Sequence, residues 1–151
     1  MKQLYKFILI FFILLKWQSV IAQDNKLKIS GSVFAEKSSV KDIRIVIIEI
    51  KNQSNDTIQI IKVIPTKNPT TGNFNIELIL NKQYKIIFEG DTNYQETRYF
   101  DISTKIDEDI KPKDYFIKEL KVQVWIGRRT KKEGEIIFDN TVKEFQILRT
   151  E

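Results

Sequence analysis

The chain has no cysteine and no histidine, and its 151 residues include only five glycines, three prolines and two alanines. Each shortage excludes something. Without thiols or imidazoles there is no Ser/His/Asp triad, no cysteine nucleophile, no thiolate or imidazole zinc site, no iron–sulfur cluster and no disulfide framework. Stability then has to come from packing. The two alanines stand against 26 isoleucines, so the best helix former is scarce. The commonest apolar residue is β-branched, stiff at its first torsion and well suited to a pleated surface. No amphipathic helix of useful length is visible, and no internal repeat.

A long apolar run occurs only at the start. Residues 7–15 (FILIFFILL) are uninterrupted, follow Lys2 and Lys6, and are too short to cross a bilayer as a helix. This pattern predicts a signal peptide over 1–22, with Val20-Ile21-Ala22 as the small-residue site and cleavage between Ala22 and Gln23. Glutamine at 23 offers no thiol for the acyl chains of a lipoprotein. The alternative is a retained N-terminal anchor, with Lys16 and Trp17 at its boundary. Cleavage removes Lys2, Lys6 and Lys16 and leaves 22 basic against 20 acidic residues, a net charge of +2. The calculated pI of 9.3 thus belongs largely to the leader. Together with export, this argues against a nucleic-acid partner. Residues 23–151 are one domain's length, enough for a core of their own.

Alternation of apolar and polar residues predicts strands near 27–34, 43–51, 57–64, 73–80, 84–89, 96–102, 116–126, 135–138 and 144–148. Segments 73–80 and 84–89 are expected to pair antiparallel across a short Asn81-Lys82 turn. The last two segments form a hairpin turning near Asp139-Asn140. Polar or proline-containing stretches at 51–56, 65–72 and 106–114 separate strands, none long enough to divide domains. The expectation is an all-β, antiparallel β-sandwich of about seven strands over 26–126, with a C-terminal β-hairpin at 133–149.

Several local runs carry a family resemblance: Gly31-Ser32-Val33, the branched strand 43–50, Thr71-Gly72-Asn73-Phe74, the stretch Leu80 to Phe88 with Tyr84-Lys85-Ile86 at its centre, and Asn93-Tyr94. In order and spacing these resemble carboxypeptidase regulatory-like domains of the transthyretin-like sandwich class. Asn93 stands where that family often has glycine. The resemblance covers roughly 26–103, and 122–148 looks like the C-terminal extension of some exported bacterial relatives. It implies an accessory or adaptor module, with Gly72 in a positive-φ turn and Phe74 and Tyr84 on inner faces. The matched positions are turn and core positions and bring no catalytic residues with them. The enzymatic transthyretin-like branch depends on histidines and a Tyr-Arg-Gly-Ser tail, and this chain has neither.

Candidate sites follow from residue type. The acidic run Asp107-Glu108-Asp109, with Asp101 and Asp114 nearby, could offer oxygen ligands to a hard cation, but it lacks the alternating pattern of a calcium loop and reads better as a solvated linker. No metal site and no cofactor are expected. Glu77 and Glu89 on outward strand faces would balance lysines rather than form a catalytic pair. Trp125 falls out of phase with Leu120, Val122 and Val124; it could join Tyr94 and Tyr99 in an aromatic platform for a sugar, or pack beneath the C-terminal hairpin. Arg128-Arg129 and Lys131-Lys132, bracketed by Gly127 and Gly134, read as a basic loop for anionic headgroups or glycans, or simply a solvated one. Sequons at Asn52-Gln53-Ser54 and Asn55-Asp56-Thr57 matter only in a glycosylating host. The function expected is a non-enzymatic interaction or structural module of a bacterial envelope, periplasmic, outer-membrane-associated or secreted. Its partner would be another envelope protein or a glycan, with no nucleic acid and no stable membrane anchor after cleavage. A carbohydrate-binding module using Trp125, Tyr94 and Tyr99 is the alternative.

Overall fold

The computed structural model describes residues 25–36, 39–51, 55–90, 96–106, 114–125, 127 and 129–150. The expected leader with its Ala22/Gln23 cleavage site, Tyr94, the acidic run 107–109 and Arg128 lie outside them. Ten strands run in chain order: β1 (Lys26–Ala35), β2 (Ile43–Ile50), β3 (Asn55–Lys62), β4 (Ile64–Pro65), β5 (Thr71–Ile79), β6 (Gln83–Gly90), β7 (Thr97–Ser103), β8 (Tyr115–Val124), β9 (Thr130–Asp139) and β10 (Glu144–Arg149). They form a four-stranded sheet, β4-β5-β1-β8, and a six-stranded sheet, β10-β9-β7-β6-β2-β3. The all-β sandwich is therefore present, with more strands than the seven expected.

Each sheet turns one row of its alternation inward. Leu27, Ile29 and Val33 of β1, Phe74, Ile76 and Leu78 of β5, and Leu120, Val122 and Val124 of β8 meet Ile43, Ile45 and Ile47 of β2, Tyr84, Ile86 and Phe88 of β6, and Phe100 and Ile102 of β7. Aromatic rings bridge the sheets. Phe74 meets Phe88 edge-on with centroids 5.3 Å apart, and Phe88 meets Phe100 at 6.3 Å. Phe74 and Tyr84 thus lie on inner faces, as expected of large aromatics that fill the space between sheets. At the other end Tyr115 of β8 lies 5.4 Å from both Phe138 of β9 and Phe145 of β10, which are 5.2 Å from each other. Such pairs add about 1 kcal/mol each beyond the area they bury. The β9–β10 hairpin is consequently part of the six-stranded sheet, packed on the core through this second cluster.

Three features differ from the sequence expectation. First, β5 and β6 are not a hairpin. β5 pairs with β1 and β4 in one sheet, β6 with β2 and β7 in the other. The short link 80–82 carries the chain between sheets, and three residues reach about 10 Å, the separation of packed sheets. Asn81 takes a left-handed conformation, φ 62°, which asparagine tolerates. Thr104, fully buried, holds this corner. Its hydroxyl lies 2.9 Å from the Ile79 and Lys82 carbonyl oxygens and accepts from the Lys82 N–H, while the backbone of Thr104 bonds both Asn81 and Lys82.

Second, the sandwich is not purely antiparallel. β1 pairs with β8 and β7 with β9 in parallel. The chain leaves the six-stranded sheet after β7, forms β8 in the four-stranded sheet and returns as β9, so β7 and β9 run the same way. Third, Gly72 is a strand residue of β5 without positive φ. A Cβ there would overlap Val63 Cγ1 and come within 2.8 Å of the Ile64 carbonyl oxygen, so glycine is needed for close approach. Val63 itself is buried between β3 and β4, where the segment expected as one strand over 57–64 passes from one sheet to the other. Gly134 and Lys131-Lys132 likewise belong to β9, not to a loop.

Candidate functional site

The six-stranded sheet ends at β3, which pairs with β2 on one side only. Residues 56–60 of β3 are all exposed. Ile60 is 60% exposed, Ile58 46%, and Ile64, just past the sheet crossing, 65%. An edge strand has no neighbour to cover either its side chains or its outer row of N–H and C=O groups. The β3 ladder is interrupted at Ile58, where the register against Ile47 and Ile48 shifts by one residue. Such a bulge twists the edge locally.

The apolar character continues inward from this edge across the outer sheet face. Ile60 stands opposite Val46, Val46 opposite Ile87, and Ile87 opposite Tyr99. This cross-strand row runs through β3, β2, β6 and β7, three strand spacings or about 14 Å. Charged pairs flank it. Arg44 and Glu89 bond at 2.6 Å on one side, and Lys51 and Asp56 at 2.7 Å near the far end of β3. The Asp56 carboxylate, through its hydrogen bond and charge, and then Glu49 hold Lys51 above its ordinary pKa. At the inner end Lys85 Nζ sits 4.8 Å above the Tyr99 ring. Beyond it Lys132 bridges Asp101 at 2.8 Å and Glu135 at 2.6 Å, and both carboxylates raise its pKa. The arrangement is an apolar strip with a charged, self-paired rim, suited to burying surface against a partner.

The residues singled out from sequence fall in different places. Trp125 directly follows β8, continues its outward row and is 42% exposed. Tyr99 lies in the outward row of β7 in the other sheet. The two open onto opposite faces of the sandwich, so they do not share a platform; Tyr99 instead closes the apolar row described above. Glu77 pairs with Lys26 at 2.8 Å, which lowers its pKa, and Glu89 pairs with Arg44. These two carboxylates belong to different sheets. Asp114 binds Lys28 at 2.6 Å, with its pKa lowered by that bond, while Asp101 binds Lys132, so they do not converge either. Among the described residues no three acidic side chains gather as a metal-binding group.

The exposed isoleucines of β3 escaped sequence reasoning. Apolar residues at 58, 60, 61, 63 and 64 occupy both parities, as they do in strand 43–50, whose second apolar row, Val46 and Ile48, lies half-buried on the outer sheet face. The break in alternation was the available signal, and it marks an edge strand and a sheet crossing rather than double burial. No protein-family model matches the chain, and no curated protein matches it significantly.

Proposed function

We propose that the chain is an exported, non-catalytic interaction module of a bacterial envelope, of the carboxypeptidase regulatory-like type its motifs resemble, and that it engages a protein partner through the β3 edge. One observation carries this reading: an open edge strand with Ile58 and Ile60 exposed, continuous with the Ile60–Val46–Ile87–Tyr99 row. A partner strand laid along β3 would satisfy its outer backbone groups, and the adjacent isoleucines would supply apolar contact. Covering a largely exposed isoleucine contributes about 1–2 kcal/mol. The leader expected over 1–22 supports export, and the resemblance supports an accessory role.

The test is co-purification of the tagged chain from its native envelope, with Ile58→Lys and Ile60→Lys as paired variants. Wild type is expected to retain one reproducible protein that both variants lose while keeping the wild-type unfolding midpoint. Equal retention by wild type and both variants contradicts the β3 assignment.

A further inference from the structure

The outer face of the four-stranded sheet is built differently. Its inner strands, β1 and β5, present Ser30 and Ser32 beside Asn75 and Asn73 in directly opposed cross-strand pairs. Serine and asparagine fit poorly on a pleated surface, and inner strands are where β-branched residues serve best. None of these four side chains forms a hydrogen bond among the described residues. Their hydroxyls and amides therefore face solvent with their hydrogen-bonding capacity open to a ligand.

The third wall comes from β8, whose register against β1 shifts between Ile29 and Gly31. At this irregularity Glu119 adopts φ 61°, and Gly31 has no Cβ to collide with the Leu120 carbonyl oxygen. Lys118 and Glu119 both stand exposed as a result, the re-aiming that a bulge performs. Two adjoining clefts of about 420 and 470 Å³ share Ser30, Asn75 and Glu119 as lining. Phe116 borders the larger one and is 58% exposed. Lys28 Nζ, tied to Asp114, sits 5.5 Å from its ring centroid and holds it in place.

We propose that this face binds a neutral oligosaccharide, with Asn73, Asn75, Ser30 and Ser32 hydrogen-bonding its hydroxyls and Phe116 stacking on one ring. Amides and hydroxyls offer donors and acceptors side by side, which matches the paired hydroxyls of a sugar. The four floor side chains themselves are polar, and the exposed apolar residues of this face, Ile64 opposite Asn73 and Phe34 beyond Ser32, stand at one end of the floor and not at its centre. The charges lining the two clefts are Lys28, Lys118 and Lys121 against Glu77 and Glu119, with Lys28 and Glu77 each held in an ion pair; the net of one positive charge is a weak field for selecting a polyanion. From Lys28 to Ser32 the floor extends about 13 Å along β1 at the usual strand rise, room for a short chain of rings. The face lies on the opposite side of the sandwich from the β3–Tyr99 strip, so this binding is independent of the partner proposed above.

Titrating isotope-labelled purified protein with the trisaccharides of β-1,4-linked glucose, mannose and N-acetylglucosamine tests this directly. At least one is expected to give saturable shifts at the Asn73 and Asn75 side-chain amides and at Phe116. Asn73→Ala combined with Asn75→Ala, and separately Phe116→Ala, should weaken binding about tenfold with unchanged unfolding midpoints. Trp125→Ala should leave affinity unaltered. The proposal is overturned if none of the three sugars shifts these amides in the wild-type protein, if the shifts centre on Trp125, or if a hexuronate trisaccharide binds in preference.

Discussion

Arg98 places a full positive charge inside the molecule. It occupies the inward row of β7, next to Phe100 and Ile102, and is only 6% exposed. Glu96 and Glu133 hold its guanidinium, the latter at 2.5 Å, and Glu133 also reaches Arg149 at 3.3 Å. Removing one member of such a group leaves the others desolvated without their counter-charge. Arg98→Met is therefore expected to lower the stability measured by urea unfolding by about 3 kcal/mol. Adding Glu96→Gln and Glu133→Gln should restore part of that loss, because these residues act as one network.

Tyr84 gives a residue-scale dependence on pH. Burial pushes its phenol up to about 12, helped by the nearby Glu49 charge. In the unfolded chain the phenol ionises near its ordinary value of 10.0. Between these values the folded state holds a proton that the unfolded state has released, so stability falls as pH rises from 10 towards 12. Tyr84→Phe should flatten this decline in unfolding experiments across that window, with only a small change at neutral pH. A decline of equal slope in the variant would place the alkaline sensitivity elsewhere.

Among elements, the corner between β5 and β6 decides which sheet each strand joins. Thr104 supplies the hydroxyl that meets Ile79 and Lys82. Thr104→Val keeps the shape but takes away the acceptor of the Lys82 N–H, while the Ile79 and Lys82 carbonyls keep their bonds from the Tyr84 hydroxyl and the residue 104 N–H, for an expected loss of about 1 kcal/mol in denaturant unfolding. The strands themselves were legible from period-two alternation, except that β9 begins at Thr130, inside the expected basic loop, and the segment 57–64 divides into β3 and β4. Sheet membership was not. Leu80 and Tyr84 point into the core whether the link between them is a hairpin or a corner, so alternation reads the same in both cases, and the deciding contact comes from Thr104, more than 20 residues away. The C-terminal turn was legible, because Asp139 is a residue that bonds backbone N–H groups ahead of it. Its carboxylate accepts from Thr141 and Val142, which lowers its pKa. The outward phase of Trp125 could also be read from Leu120, Val122 and Val124. Its separation from Tyr99 could not, since that depends on which strands share a sheet.

At the scale of the whole molecule, two stretches of sheet edge are open among the described residues: β3, and β5 beyond the two residues that β4 covers. β4 is only two residues long. β8 and β10 close on each other, with Arg149 Nη2 donating to the Lys121 carbonyl oxygen at 2.6 Å and Tyr115 packed on Phe145. β3 keeps eight residues of edge with isoleucines to the solvent. Edges of this kind are aggregation hazards unless a partner covers them, which is the physical basis for assigning the interaction to β3. Engagement through β3 is tested most directly by a photo-cross-linking side chain at position 60, compared in the native envelope with the same group at position 142, an exposed site on the β9–β10 turn. One protein captured at 60 and not at 142, with its attachment point in an extended segment, is the predicted result. The same set of captured proteins at both positions would contradict it.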